Sequence, residues 1–474
     1  MADSLEYERV AQIIERQIES GALQPHERAP SLRRMSHHAG VSIGTVVRAY
    51  EVLEVRGLLE TRPRSGYYVT RSNVALSSPP SSRRVRSRRP QGVSREVIDT
   101  VLESFARTDL VAMNSAVASF AGRINGRLNS ITRRVLRETP ELPSVMSVPP
   151  GHAPLRREVA KRLALTGMEI DEDDVVITHG TMEALALSLG ILCKAGDTVL
   201  VESPTYFGIL QLLQHLGLKV VEVANRPDGG IDVDVLDDLI RATKISAALL
   251  QSSFNNPTGA ETPHEAKCRI VELLEASGIP LIEDDIYGAL HFSDERPKPF
   301  AAHTVAGNCI TCGSMSKSVA IGYRVGWAVS PRYATALSRA KFCTSVGNPT
   351  LQQHVVARYL AGGGHDRHVR VVRASLAASC RRFAQAVLEL FPDGTRVSNP
   401  AGGVVLWVEL PGGVDGLELF HAALARQIGI APGVIFSAKA HYRNYIRLSA
   451  GVEWTPAVEV ALRRLAGLVH DAAR

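Results

Sequence analysis

The chain has 474 residues, of which 45% are hydrophobic and 22% charged, so it can bury a large core and is too long for one ordinary domain. No apolar run reaches the ~20 residues that cross a membrane, and the first residues lack the basic and apolar regions of a signal peptide. The six cysteines are scattered, which excludes a disulfide framework, and Cys309-x-x-Cys312 stands without a second pair or a nearby histidine. We therefore expect a soluble, cytoplasmic protein of two or three domains that holds no metal ion.

Charge divides the chain into two regions. The first 90 residues contain 15 arginines, no lysine and nine acidic residues, and they account for the whole formal net charge of +6. This asymmetry predicts an anionic partner. Five of the arginines lie between residues 77 and 90, in a stretch rich in Ser and Pro, and we predict a linker at residues 76–108.

The first 75 residues have the pattern of three helices followed by a hairpin. Apolar residues recur at helical spacing between Tyr7 and Ile18, Ser31 is a suitable N-cap for a second helix, and Gly40 predicts a tight turn before a third helix. Residues 58–69 have the pattern of two short strands around a basic turn. The sequence predicts a winged helix-turn-helix, whose third helix enters the major groove of DNA.

Polar and basic side chains of this module are candidates for contacts with double-stranded DNA. A single arginine in such a module is better explained as a solvated surface charge, but the joint placement of several arginines favours DNA binding. The candidate residues are Ser42, Thr45 and Arg48 on the third helix, Arg33 on the preceding helix, and Arg62 and Arg64 in the wing.

Residues 7–70 closely resemble the winged helix of GntR-type regulators, which implies operator DNA as a partner. The resemblance is carried by Gly21-Ala-Leu-Gln-Pro25, Arg28-Ala-Pro-Ser-Leu-Arg33, the run from Val41 to Tyr50, and Gly57-Leu-Leu-Glu60. Ile43 stands where the family often has an arginine. We therefore expect one base or phosphate contact to be missing or replaced.

From about residue 145, short apolar runs alternate with helical segments. This alternation predicts an α/β fold around a mostly parallel central sheet that is buried on both faces. Ligands of such sheets bind at the carboxyl ends of the strands. The predicted strands begin at Val175, Thr198, Lys219, Ala247, Pro280, Cys309 and Val325.

Polar side chains follow the predicted strands at the ends where ligands bind. Gly180-Thr181-Met182 opens a helix whose free N–H groups suit an anion. A lysine amine forms Schiff bases with aldehydes, and a carboxylate keeps the ring nitrogen of pyridoxal 5′-phosphate protonated. An anion site, an aromatic ring, a carboxylate and a lysine together suit that cofactor. The other strand ends carry Tyr206, Asn256, Asp284, Tyr287, Ser314, Ser316, Lys317 and Arg324.

Residues from about 110 to 470 resemble a class I/II aminotransferase of fold type I. The motifs occur in the family's order and spacing, and they are Asn256-Pro-Thr-Gly259, Asp284-Asp-Ile-Tyr287, Ser314-Met-Ser-Lys317 and Gly322-Tyr-Arg324-Val-Gly326. The resemblance implies a domain at residues 109–474 that binds pyridoxal 5′-phosphate. It also implies a smaller α+β domain at about residues 350–474.

The resemblance assigns roles to the matching residues. Lys317 forms the Schiff base, Asp284 pairs with the pyridinium nitrogen, and Asn256 and Tyr287 donate to the 3′ oxygen of the cofactor. In an enzyme of the family, Lys317, Asp284 and Tyr287 are the catalytic residues. The phosphate and ring contacts come from Gly180, Thr181, Met182, Ser314, Ser316, Arg324 and the stacking ring of Tyr206.

Arg447 lies in Tyr445-Ile-Arg-Leu-Ser449, a motif whose arginine binds the substrate α-carboxylate in the family. Other roles stay open, since Tyr206 could be core packing and Arg447 an ordinary salt-bridge donor, whereas a buried lysine without a cofactor would be costly. Met146 aligns with a tyrosine that reaches the phosphate of the partner subunit in the family. We expect that contact to be lost here.

The winged helix, the basic linker and the aminotransferase-like body together resemble the MocR subfamily of bacterial transcriptional regulators. The resemblance implies a head-to-tail homodimer whose body senses an amino compound or the cofactor itself. An active aminotransferase with an accessory DNA-binding arm is the alternative. A repressor whose body has lost the cofactor is a third hypothesis, against which the intact Lys317, Asp284 and Arg324 argue. The sequence does not identify the effector, the operator or the direction of regulation.

Overall fold

The computed structural model divides the chain into two compact units, residues 1–78 and 79–474. No helix in the described part of the chain is long and apolar enough to cross a membrane. The structure describes residues 2–19, 22–24, 27–55, 58–62, 66–69, 93–119, 124–225 and 229–474.

The first unit is the predicted winged helix-turn-helix. Its core is formed by apolar side chains from all three helices and both strands, among them Val10, Val46 and Val69. The hydroxyl of Tyr50 donates to the carbonyl of Pro30 at 2.8 Å and connects the third helix to the chain before the second. The elements are α1 (Ala2–Glu19), α2 (Leu32–Ala39), α3 (Ile43–Val55), β1 (Leu59–Arg62) and β2 (Gly66–Val69).

Local sequence signals position these elements as expected. Ser31 caps α2 by accepting from the backbone N–H of Arg34, and Gly40 ends it with a φ of 67°, a left-handed conformation that glycine adopts without steric cost. β1 and β2 pair antiparallel, with Leu59 opposite Val69. The tip of this wing, residues 63–65, lies outside the described residues.

The second unit contains twelve described helices and thirteen described strands. The helices are α4 (Arg95–Ala106), α5 (Asn125–Glu138), α6 (Ala153–Ala164), α7 (Thr181–Leu192), α8 (Phe207–His215), α9 (Val233–Ala242), α10 (His264–Ala276), α11 (Ala334–Ser345), α12 (Thr350–Ala361), α13 (Gly364–Leu390), α14 (Gly416–Leu424) and α15 (Pro456–Ala472). The strands are β3 (Val111–Ala112), β4 (Val175–Thr178), β5 (Thr198–Ser203), β6 (Lys219–Ala224), β7 (Ala247–Leu250), β8 (Leu281–Asp284), β9 (Cys309–Ser314), β10 (Gly326–Val329), β11 (Arg396–Val397), β12 (Val405–Glu409), β13 (Ile428–Gly429), β14 (Ala431–Pro432) and β15 (Tyr445–Ser449).

The central sheet has the order β4-β10-β9-β8-β7-β5-β6. β10 is antiparallel to both of its neighbours and the other pairs are parallel, so the predicted mostly parallel sheet is confirmed. Alternate residues of one strand enter different cores: Leu249 packs with the cluster of α7 and α8, while Ala248 packs with that of α9 and α10. Burial on both faces explains why these strands are continuous apolar runs.

A smaller lobe contains an antiparallel sheet of order β11-β12-β15-β14, covered by α13, α14 and α15. The segment before the central sheet joins this lobe, because β3 pairs parallel with β13 and the side chains of Ile98 and Val101 enter its core. By contrast α12, which the sequence analysis placed in the smaller domain, packs with α5 and α6 around the larger sheet.

The predicted linker of residues 76–108 extends too far along the chain. Residues 70–92 lie outside the described residues, but Arg95–Ala106 form α4. Ser94 caps this helix by accepting from the backbone N–H of Val97, and one face of the helix is apolar and buried. Burial of that face against the smaller lobe stabilises the helix, and the composition of the neighbouring Ser/Pro/Arg-rich stretch does not indicate it.

Candidate functional site

A cavity of about 270 Å³ opens at the carboxyl ends of β8 and β9, between the larger sheet and the smaller lobe. Parallel strands place the residues that follow them at one edge of the sheet, which is why motifs far apart in sequence meet here. The sequence-predicted residues that line the cavity are Thr181, Met182, Tyr206, Asn256, Asp284, Tyr287, Ser314, Ser316, Lys317, Arg324 and Arg447.

Lys317 follows β9 and extends into this cavity. Its ammonium donates to the carbonyl of Ala116 at 2.6 Å and lies 5.7 Å from the centre of the Tyr287 ring. Burial, and then the positive charge of Arg447, lower the pKa of Lys317 to about 8. The lowered pKa increases the fraction of free amine near neutral pH, which is the form that attacks a carbonyl carbon.

Asp284 ends β8 and is buried. One carboxylate oxygen accepts from the backbone N–H of Ile286 at 3.2 Å and the other from the side-chain amide of Gln251 at 2.9 Å. Burial raises the pKa of Asp284 to about 7, while the nearby charge of Lys317 acts in the opposite direction. The carboxylate is therefore suited to a cationic partner that would hold it ionised.

Arg447 lies on β15 and is fully buried. Its guanidinium donates to the side-chain oxygen of Asn256 at 3.1 Å and to the backbone carbonyl of Asn114, and it lies 5.4 Å from the centre of the Phe436 ring. Its Nε has no partner among the described residues, and the acceptors of its other nitrogens there are an amide oxygen and a backbone carbonyl, not a carboxylate. An unneutralised buried guanidinium beside a cavity suits a carboxylate of a ligand.

The anion site is built around Arg324. Its guanidinium donates to Ser316 Oγ at 3.2 Å and to the carbonyl of His179 at 2.8 Å, directly before the start of α7. Gly180 makes this approach possible, because its φ is 90° and a Cβ there would lie 2.6 Å from Arg324 Nη2. Ser314 Oγ accepts from the backbone N–H of Ser316 at 3.2 Å.

Two aromatic residues complete the walls. Tyr206, directly before α8, is partly buried and packs edge-on to Phe207 with ring centres 4.9 Å apart. Tyr287 is buried, and burial raises the pKa of its hydroxyl, so it remains a hydrogen-bond donor at neutral pH.

Gln251 and the backbone carbonyls of Ala116 and Asn114 are among the contributors to the site that the sequence did not predict. Gln251 links two predicted residues, since its side chain donates to Asp284 and accepts from the backbone N–H of Asn256 at 3.0 Å. Its place after β7 was a usable signal, because a polar residue there lies at the ligand edge of the sheet. The carbonyls of Ala116 and Asn114 gave no signal, since any residue type supplies a carbonyl.

The residues present fit pyridoxal 5′-phosphate. Thr181, at the first turn of α7, has a buried hydroxyl without a partner among the described residues, as expected of a group whose acceptor is a ligand. The helix start and Arg324 suit a phosphate, and Asp284 suits a pyridinium nitrogen. Lys317 supplies the amine.

Met146 and the cysteine pair also have defined environments. Met146 is 67% exposed, so it makes no contact with the cavity within this chain. Cys309 and Cys312 are buried within β9, where burial raises the pKa of both thiols. Protonated thiols inside a sheet agree with a structural role for the pair.

The predicted DNA-contacting side chains differ in exposure. Arg33, Ser42 and Arg48 are exposed, and the guanidinium of Arg48 lies 4.5 Å from the centre of the Tyr7 ring. Thr45 differs from the prediction, because it is buried and its hydroxyl lies 2.9 Å from Ser42 Oγ, where it supports the start of α3. The side chain of Arg62 and the whole of Arg64 lie outside the described residues. Ile43 is 46% exposed.

Two family models match the chain. Residues 137–465 match the class I and II aminotransferases, and residues 6–69 match the bacterial regulatory proteins of the gntR family. Among relatives, the uncharacterized HTH-type transcriptional regulator YdcR of Escherichia coli (strain K12) is 33% identical over 98% of this chain and 99% of its own. A 2-aminoadipate transaminase of Thermus thermophilus is 33% identical over 70% of this chain and 83% of its own.

Solved aminotransferase structures superpose on most of the chain. LysN, an α-aminoadipate aminotransferase of Thermus thermophilus complexed with N-(5′-phosphopyridoxyl)-L-leucine, superposes with a TM-score of 0.73 and 28% identity over 81% of this chain and 96% of its own. A kynurenine aminotransferase of Pyrococcus horikoshii, at 24% identity and a TM-score of 0.75, shares the fold over 81% of this chain and 96% of its own. The chain therefore belongs to the class I and II aminotransferase family and, with its gntR-family domain, is a regulator with the domain combination of MocR-type proteins.

Proposed function

We propose that this regulator binds operator DNA through its first unit and, through its second, binds pyridoxal 5′-phosphate at Lys317 and senses an amino compound. One observation carries the proposal: a lysine, a carboxylate and an unneutralised guanidinium, from Lys317, Asp284 and Arg447, face the same cavity. Neither core packing nor surface solvation requires these three side chains to lie at one cavity. A structural relative, LysN, holds a phosphopyridoxyl amino acid on the same fold.

Each residue would have a defined task. Bound pyridoxal 5′-phosphate supplies an aldehyde for the lysine amine and an electron-withdrawing ring. Lys317 would supply its amine in the free form, which its lowered pKa of about 8 favours. Asp284 holds a proton on the ring nitrogen, Tyr287 donates through its hydroxyl, and the anion site at Arg324 fixes the phosphate.

Recognition of the effector would depend on Arg447. A ligand carboxylate that binds this guanidinium competes with the side chain of Asn256 and the carbonyl of Asn114, its present acceptors. Because the guanidinium is buried, a charge-assisted pair there is strong and selects compounds that carry both an amine and a carboxylate. We infer an α-amino acid or a close analogue as the effector class.

We also infer a homodimer in the cytoplasm, where the operator is found. Three apolar residues close together in sequence, Val145, Met146 and Val148, are 48%, 67% and 48% exposed in the single chain. Exposed apolar groups in one short segment favour burial against a partner.

In the first unit, exposed Arg33 and Arg48 would contact phosphates, and exposed Ser42 lies directly before the third helix.

The visible spectrum of the purified chain, titrated with amino acids and amines, tests this proposal. We expect an absorbance band of the lysine-bound cofactor that shifts with one compound and without release of a keto acid. Lys317→Ala should abolish the band, and Lys194→Ala, an exposed lysine, should leave it unchanged. A band that survives in Lys317→Ala would overturn the cofactor site.

Deletion of residues 1–75 tests the division of labour. We expect loss of operator binding in a gel-shift assay together with an unchanged cofactor spectrum. Operator affinity that persists after the deletion would show that DNA is bound elsewhere.

An active aminotransferase is the second candidate. The complete set of Lys317, Asp284, Tyr287 and Arg447 favours it, as does the similarity to a transaminase over 340 residues. Conversion of the cofactor to its amine form, followed by turnover when a keto acid is added, would support catalysis over sensing.

A further inference from the structure

A cluster of three metal-ligating side chains lies on the second unit, outside the cofactor cavity. His264 is the first residue of α10, Cys268 follows one turn later on the same face, and His303 ends a short 3₁₀ helix, Phe300–His303. One potential ligand atom from each residue lies within 4.8 Å of the other two. Thirty-five residues separate Cys268 from His303, so the fold and not the local sequence brings them together.

The distances agree with coordination by one ion. Cys268 Sγ lies 3.9 Å from His264 Nε2 and 3.7 Å from His303 Nδ1. A zinc ion at about 2.3 Å from sulfur and about 2.05 Å from nitrogen, in tetrahedral geometry, separates these two ligand types by about 3.5 Å. The two sulfur-to-nitrogen distances therefore exceed those of such a site by about 0.2–0.4 Å.

The His303 imidazole directs its Nδ1 towards the Cys268 thiol. Its second ring nitrogen, Nε2, is buried and lacks a hydrogen-bond partner among the described residues. The two imidazoles meet edge to face, with centres 5.0 Å apart. The neighbouring cation Lys267 is already paired, with Glu261 at 3.7 Å and the carbonyl of Lys298 at 2.9 Å.

We propose that His264, Cys268 and His303 bind one transition-metal ion of the zinc type, with an open fourth position for water. Two imidazoles and a thiolate are ligands of borderline-soft ions, and the absence of oxygen ligands from these three residues argues against calcium or magnesium. His264 is exposed and leaves the fourth position accessible. The ion would connect α10 to the 3₁₀ helix, whose Phe300 and Ala301 N–H groups donate to Glu283 at 2.8 and 3.2 Å.

Cobalt(II) binding to the full chain, purified under reducing conditions and without a histidine tag, tests this proposal. We expect one equivalent of cobalt to give a thiolate-to-cobalt charge-transfer band, which zinc then displaces. Cys268→Ser should lose the charge-transfer band. His264→Ala, at an exposed position that leaves the fold intact, should weaken zinc binding by about tenfold or more.

The matched control is Cys343→Ser, which removes an exposed thiol from α11. This variant should bind cobalt with the wild-type spectrum and stoichiometry. The proposal is overturned if the wild-type chain gives no charge-transfer band, if the band persists in Cys268→Ser, or if His264→Ala binds zinc as tightly as the wild type. The assay does not depend on pyridoxal 5′-phosphate, so it is independent of the proposed function.

Discussion

Replacing Asp284 by asparagine would test how the second unit tolerates a buried carboxylate before its cofactor binds. Burial raises the pKa of Asp284 from its ordinary value of 3.8 to about 7. Between these two pH values the folded chain binds more protons at this site than the unfolded chain. The contribution of Asp284 to the free energy of unfolding therefore decreases as pH rises from about 4 to 7 and is constant above that.

The size of the effect follows from the pKa shift and from the contacts. The rise of the Asp284 pKa from 3.8 to about 7, at about 1.4 kcal/mol for each factor of ten in acidity, gives an upper bound of about 4 kcal/mol above pH 7. Asparagine cannot accept from Gln251 with its amide nitrogen, and the loss of that hydrogen bond costs about 1–2 kcal/mol. We expect the cofactor-free Asp284→Asn chain to be about 2 kcal/mol more stable than wild type at pH 8, with a difference of about zero near pH 5.

Tryptophan fluorescence during urea titration measures this difference. All three tryptophans, Trp327, Trp407 and Trp454, lie in the second unit, so the signal reports on that unit alone. Asp393→Asn, at an exposed position, is the matched control and should show no such pH-dependent gain. The reasoning is wrong if Asp284→Asn is less stable than wild type at pH 8, or if the difference is the same at pH 5 and pH 8.

Three further variants test other parts of the structure. Gly180→Ala should weaken cofactor binding about tenfold in a spectral titration, because the new methyl group displaces Arg324. The control Gly190→Ala, which has open space at its Cβ, should bind the cofactor as the wild type does. Equal affinities of the two variants would contradict this account of the anion site. Arg447→Met should weaken the response to an amino acid by about tenfold or more, while leaving the response to an amine without a carboxylate unchanged. Ser42→Ala should lower the stability of the first unit by about 1 kcal/mol, because Ser42 Oγ accepts from the N–H of Thr45 at 3.1 Å. Hydrogen exchange of the α3 amides measures this loss, and an unchanged exchange rate would refute the capping role.

The features that sequence alone predicted are those with a local signal. β4, β7 and β8 are fully buried and largely apolar because both faces of the sheet are covered, and each is followed by polar residues that line the cavity. Ser31 and Gly40 carry the chemistry of a helix start and a helix end. Residues such as Lys317 and Asp284 were found because a parallel sheet converts their positions after strands into proximity.

The features that sequence did not predict depend on contacts between distant parts of the chain. The helix α4 is stabilised by packing against the smaller lobe, and its partners lie about 300 residues further along. Thr45 has the residue type and the helix position expected of a DNA contact, but it is buried because of how α3 packs within the first unit. The group of His264, Cys268 and His303 has no sequence spacing that indicates a metal site, since β8 lies between α10 and the 3₁₀ helix that carries His303.

The residues just after α4 link the occupancy of the cavity to one short stretch of backbone. Within about ten residues of the end of α4, the carbonyls of Asn114 and Ala116 accept from Arg447 and Lys317. A cofactor that binds Lys317 would remove the hydrogen-bond donor of the Ala116 carbonyl, and an effector that binds Arg447 would remove that of the Asn114 carbonyl. In the sequence, this peptide and α4 precede the central sheet. Occupancy of the cavity would thus change the hydrogen bonding of one short backbone segment.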